Sequence, residues 1–101
     1  MPKLTIDVPH SLTPDEAVQR LKQKFAEAKA EYGSRVNNLR DEWTDHTFDF
    51  SAEAVGMKVS GRIAVEPRNL RLEMSLPLAA MLFKRTIEDR IRQEVAGLLG
   101  S

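Results

Sequence analysis

Residues 57–76 read MKVSGRIAVEPRNLRLEMSL, and their period decides the fold. Met57, Val59, Gly61, Ile63 and Val65 fall on one side of an extended chain, with Lys58, Ser60, Arg62 and Glu66 on the other. After Pro67-Arg68-Asn69 the alternation resumes, with Leu70, Leu72, Met74 and Leu76 inward and Arg71, Glu73 and Ser75 outward. A period of two is that of a strand with one buried face. Pro67 and Asn69 supply turn chemistry, and Pro77 stops the second run because its ring nitrogen has no hydrogen to give to a ladder. The connection is too short for a parallel crossover, so the two strands pair antiparallel.

The same period extends upstream. A strand from about Val36 to Trp43 carries Leu39 and Trp43 on one face, and Thr44-Asp45-His46 reads as a turn. Phe48, Phe50, Ala52 and Ala54 alternate along the next strand, and Val55-Gly56 turns the chain again. Near the start, Leu4, Ile6 and Val8 alternate with Lys3, Thr5 and Asp7, which makes a further half-buried strand. Two segments keep a helical period instead. Thr13-Pro14-Asp15-Glu16 combines a capping hydroxyl, a proline at the first helical position and a glutamate three residues on, the pattern of a capping box. Behind it Val18, Leu21, Phe25, Ala28 and Tyr32 form one stripe, closed by Gly33. After Pro77, Ile87, Ile91, Val95 and Leu98 form a second stripe, with Ala80 in line with it and Phe83 at its edge. The expected order is β-α-β-β-β-β-α: one α+β domain over residues 1–101, with a curved antiparallel sheet of about five strands covered on its apolar face by two helices.

Composition narrows the functions open to such a domain. The 101 residues carry 15 Lys+Arg against 15 Asp+Glu, so the long-range positive field that favours nucleic acid is missing. The absence of cysteine removes disulfides, thiolate metal sites and a cysteine nucleophile. No apolar run approaches the ~20 residues of a membrane span, and the N-terminal stretch lacks the layout of a secretory signal. These points predict a cytoplasmic protein with no nucleic-acid partner, no metal and no cofactor. Phosphate-loop, dinucleotide, nucleophile-elbow and zinc-protease motifs are all missing from the sequence.

His46, close in sequence to Asp41, Asp45 and Asp49, is the best candidate base or metal ligand. Its place in a turn favours local backbone bonding instead, and His10 likewise reads as a loop residue. Asp41 shares the inward face of Leu39 and Trp43, where a lone carboxylate is costly, so it marks either a ligand pocket or a residue that sits at a sheet margin, reaches water or pairs with an arginine. Trp43 either lines a cavity or closes the end of the core. Lys84, Arg85, Arg90 and Arg92 are offset by Glu88, Asp89 and Glu94, which predicts a solvated helix face with i, i+4 pairs.

The segment Leu76-Pro77-Leu78-Ala79-Ala80-Met81-Leu82-Phe83 is apolar on too many sides for its helix. Leu78 and Leu82 fall about 140° or more from the Ile87 and Ile91 stripe, so a regular helix that buries the stripe turns them away from the sheet. A kink, a homodimer contact or an apolar partner would each account for them.

Taken together, the capped helix from Thr13, Trp43 followed by Phe48 and Phe50, Gly61-Arg62-Ile63-Ala64-Val65, Leu76-Pro77-Leu78 and Ile87-Glu88-Asp89-Arg90-Ile91 resemble the small polyhydroxyalkanoic acid system proteins. These are encoded with the genes for bacterial polyester storage granules. The resemblance spans nearly the whole chain and implies a bacterial protein associated with granules or with a granule-bound partner; it brings no catalytic residues. The element order is also similar to a reduced helix-grip fold of START-type lipid-binding domains. The expected function is therefore a non-enzymatic granule accessory that meets an apolar surface or partner through Leu78, Met81, Leu82 and Phe83. The alternative is a binder of an acyl or hydroxyacyl ligand between sheet and C-terminal helix, at Trp43, Phe50, Met74 and Asp41.

Overall fold

Residues 57–76 form two adjacent strands of a five-stranded sheet in a computed structural model that describes residues 2–54 and 56–100. The strands are β1 (Lys3–Pro9), β2 (Asn37–Thr44), β3 (Thr47–Ala54), β4 (Met57–Val65) and β5 (Asn69–Ser75). The helices are α1 (Pro14–Tyr32) and α2 (Lys84–Leu99), so the element order and the α+β class are those read from the sequence. Spatial order is β1-β5-β4-β3-β2 with every neighbouring pair antiparallel. Because β1 and β2 are opposite edges, α1 crosses the sheet between them.

Register places every second residue on one face. Ile6, Leu72, Ile63, Phe48 and Trp43 line up across all five strands, and Leu4, Met74, Gly61, Phe50 and Asp41 form the next row. Both helices cover this side. Leu4, Ile6, Val8, Leu70 and Leu72 are buried against Ala17, Val18 and Leu21 of α1 and Leu99 of α2. The other face is polar and open, as the alternation requires. Gly61 allows close packing, since the ring of Phe50 occupies the place of a side chain: an added Cβ would come within 2.6 Å of Phe50 Cζ and 2.9 Å of the Glu73 carbonyl oxygen.

The expected punctuation is present, with local differences. Thr13 Oγ1 accepts the Glu16 N–H at 3.2 Å, but the Glu16 carboxylate takes the Thr13 hydroxyl proton rather than reaching the backbone of Thr13. α1 stops at Tyr32, yet Gly33 keeps right-handed helical angles and leads into a 3-10 turn, Gly33–Arg35, in place of a left-handed glycine cap. Tyr32, last in the predicted stripe, is exposed. Asp45 at φ +53° turns β2 into β3. Gly56 at φ +73° supports the next turn, while Val55 lies outside the described residues. Asn38 at φ +52° marks a register shift between Asn37 and Arg40, a bulge the alternation did not reveal. After Pro77 the chain forms a 3-10 segment, Leu78–Phe83, and becomes α-helical only at Lys84. Ile87, Ile91, Val95 and Leu98 then pack on the core as their stripe predicts.

Candidate functional site

The 3-10 segment resolves the conflict within residues 76–83. Leu76 is buried, and its N–H donates to the Pro2 carbonyl at 3.1 Å, so the segment leaves the sheet where β5 ends and β1 begins. Pro77 at ψ 149° breaks the strand, and the Ala80 N–H returns to the Pro77 carbonyl at 2.9 Å to close the first tight turn. Ala80 and Met81 pack against the core, while Leu78, Leu82 and Phe83 stand 77%, 85% and 63% exposed. Of the four residues singled out in the sequence, three are therefore presented to solvent and Met81 anchors them from below. Phe83, at the edge of the helical stripe, falls outside the core because it belongs to the 3-10 segment, whose tighter turn seats Ala80 and Met81 inward instead.

Trp43, Phe50, Met74 and Asp41 are brought onto the helix-facing side of the sheet, in two neighbouring rows. Trp43 stacks on Phe48 with ring centroids 4.8 Å apart, Phe48 stacks on Phe50 at 5.7 Å, and Phe25 of α1 meets Phe48 edge-on at 4.8 Å. The aromatic side chains thus pack on one another across β2 and β3. The Lys22 ammonium sits 5.6 Å from the Trp43 ring centre, a cation–π contact at the sheet margin. Asp41, placed inward at the edge strand, receives Lys29 Nζ at 3.2 Å. Asp41 thus sits at the sheet margin with a lysine, not an arginine, as its partner.

His46 is held by a residue remote in sequence: its Nε2 lies 2.8 Å from Asp15 Oδ1 in the first turn of α1, and both side chains are exposed. The contact ties the β2–β3 turn to the helix. Among the described residues no group of three His, Asp or Glu side chains is arranged to hold a metal. His10 accepts the Leu12 N–H on Nδ1 at 3.2 Å, which leaves the proton on Nε2 to be donated to the Glu66 carbonyl at 2.7 Å. Lys84–Glu88 and Arg90–Glu94 form the expected i, i+4 pairs. Arg92 instead donates to the Asp7 carbonyl of β1 at 2.8 Å.

The open face of the sheet carries what alternation alone could not assemble. One row reads Lys3, Ser75, Ser60, Ser51 and Arg40, and the next Thr5, Glu73, Arg62, Asp49 and Glu42. All of these but Thr5 line a shallow concavity of about 510 Å³ on the side opposite the helices, which Asp41, Phe50, Gly61 and Met74 of the row between them also border. Arg62 Nε donates to Asp49 Oδ1 at 2.7 Å, which raises the guanidinium above its ordinary pKa. Beyond it, Arg71 and Asn69 each donate to Asp7 Oδ1 at 3.0 Å; these bonds, that from Arg71 first, hold the Asp7 carboxyl below its ordinary range.

Fold and surface together define a two-layer α+β protein with a polar open sheet face and an apolar 3-10 segment projecting beside its C-terminal helix. The chain belongs to the family described as "putative polyhydroxyalkanoic acid system protein", whose model matches residues 4–99. No curated protein and no solved structure matches it. Among the described residues no helix is long and apolar enough to cross a membrane.

Proposed function

We propose that the protein is a non-enzymatic accessory of the bacterial polyhydroxyalkanoate granule system, working in the cytoplasm at the granule and meeting its apolar surface through Leu78, Leu82 and Phe83. The observation that carries this reading is the exposure of these three large side chains within six residues, beside a helix whose own stripe is covered. Membership in the family supplies the granule context. Each such side chain withdrawn from water contributes roughly 1.5–3 kcal/mol, against an association cost of ~4–15 kcal/mol. A single copy therefore binds weakly and reversibly, as suits an accessory protein. Met81 supports the segment from the core side, so its role is to position the other three.

The test is co-sedimentation of the purified protein with protein-free polyhydroxybutyrate particles, comparing wild type with Leu78→Ser/Leu82→Ser. Both positions are exposed, and the double variant is expected to keep the wild-type fold by circular dichroism. Saturable binding that drops at least about tenfold in the variant is the expected result. Wild-type protein that stays in the supernatant, or a variant that sediments equally, would overturn direct docking on the polymer and turn attention to a granule-coating protein.

A further inference from the structure

We propose that the free edge of β2 is a pairing surface for the β2 strand of a second copy, in antiparallel register centred on Asp41. The two edges of the sheet differ. On β1, the bond from Leu76 N–H to the Pro2 carbonyl and that from His10 N–H to the Arg68 carbonyl fix even-numbered residues toward β5, so Lys3, Thr5, Asp7 and Pro9 face outward. Pro9 has no N–H to offer there, and the Asp7 carbonyl is taken by Arg92 at 2.8 Å. The Asp7–Pro9 end of that edge is blunted, which shortens the ladder it could offer. On β2, the bond from Val65 N–H to the His46 carbonyl sets which groups of β3 face β4, and leaves Thr47, Asp49 and Ser51 to bond β2. Their partners Thr44, Glu42 and Arg40 face β3, so the backbone groups of Trp43 and Asp41 point away from the sheet. Among the described residues, no side chain hydrogen-bonds to these groups, although Lys22 and Lys29 of α1 reach the Trp43 ring and the Asp41 carboxylate beside them.

The side chains choose the partner. An antiparallel self-pairing must set outward-facing residues opposite outward-facing residues, which centres the two-fold axis on a residue. Centred on Arg40 or on Glu42, it opposes like charges on the open face. Centred on Asp41, it sets each Arg40 opposite the partner's Glu42, and the reverse. Neither Arg40 nor Glu42 has an ion-pair partner within the described chain. The two central Asp41 carboxylates each keep their own Lys29 at 3.2 Å. The strand is thus self-complementary in charge on the open face, and on the helix side the facing Asp41 carboxylates are each offset by a lysine. The surface is separate from Leu78, Leu82 and Phe83, which leave the sheet at β5, so this inference stands or falls apart from granule docking.

Sedimentation equilibrium of wild type across micromolar to millimolar concentration is expected to show a monomer–dimer equilibrium. Arg40→Glu removes two cross-strand attractions and puts repulsion in their place, and is expected to raise the dimer dissociation constant about tenfold or more. Arg40→Glu/Glu42→Arg restores opposite charges and is expected to return it to within about threefold of wild type. Circular dichroism and thermal melting of each variant separate loss of pairing from loss of fold. A wild type that stays monomeric throughout, a dimer indifferent to Arg40→Glu, or a charge swap that fails to restore pairing would each overturn the proposal.

Discussion

Gly61 shows how far a single residue can be read. Alternation places it on the inward face of β4, but only the register, Gly61 opposite Phe50 on one side and Met74 on the other, explains why no side chain stands there. The Phe50 ring fills the space, a known device for covering a glycine in a strand. Replacing Gly61 by Ala drives a methyl group to 2.6 Å from Phe50 Cζ and 2.9 Å from the Glu73 carbonyl, and backbone yields less readily than a ring. Gly61→Ala is expected to lose about 1–3 kcal/mol of stability in urea unfolding, despite removing a flexible residue. Combining it with Phe50→Leu should cost less than the two separate losses together, because both act on one contact. Asp41 and His46 follow the same logic. Their faces and turns were legible, but Lys29 and Asp15 are brought to them by the path of α1, and no local pattern encodes a partner on another element.

At the scale of elements, the strands and the start of α1 were readable because their signals are local: a period of two, turn residues, and a threonine cap. The 3-10 segment was readable only as a contradiction, since Leu78 and Leu82 could not share a helix face with Ile87 and Ile91. The chain answers by delaying the α-helix to Lys84 and seating Ala80 and Met81 inward. Cross-strand pairing then joins elements that local patterns leave independent. Asp7 on β1 receives Arg71 and Asn69 of β5, and these bonds hold its carboxyl below its unfolded pKa. A depressed native pKa means that the unfolded chain takes up the proton first. The contribution is therefore fully present above the ordinary carboxylate pKa of about 3.9 and lost as the pH falls through the lowered native value. Asp7→Asn is expected to be less stable than wild type at neutral pH, with the gap closing in strongly acidic solution; guanidinium unfolding at a series of pH values measures it.

For the molecule as a whole, an open sheet has to do something with both edges, and this chain treats them differently. β1 is covered at Asp7 by Arg92 of α2, which the sequence suggested would be one more solvated charge on a balanced helix face. Its actual target is a backbone carbonyl on another element, and backbone carbonyls leave no mark in composition or periodicity. The asymmetry has a consequence for assembly. With β1 blunted from Asp7 to Pro9, pairing through β2 favours closure at two copies, since the rest of β1 offers only the short stretch around Lys3 and Thr5. Arg92→Ala exposes the outward Asp7 carbonyl while leaving the sheet register, the β2 edge and the 3-10 segment as they are. Pairs joined through β2 could then add further copies through β1. Light scattering coupled to size exclusion is expected to show species heavier than a dimer, increasing with concentration, in Arg92→Ala but not in wild type. Adding Arg40→Glu to Arg92→Ala should reduce them, because growth of such a sheet needs both edges. A distribution unchanged by Arg92→Ala would mean that Pro9 alone is enough to blunt β1, since a residue without an N–H already interrupts the ladder a new strand would need.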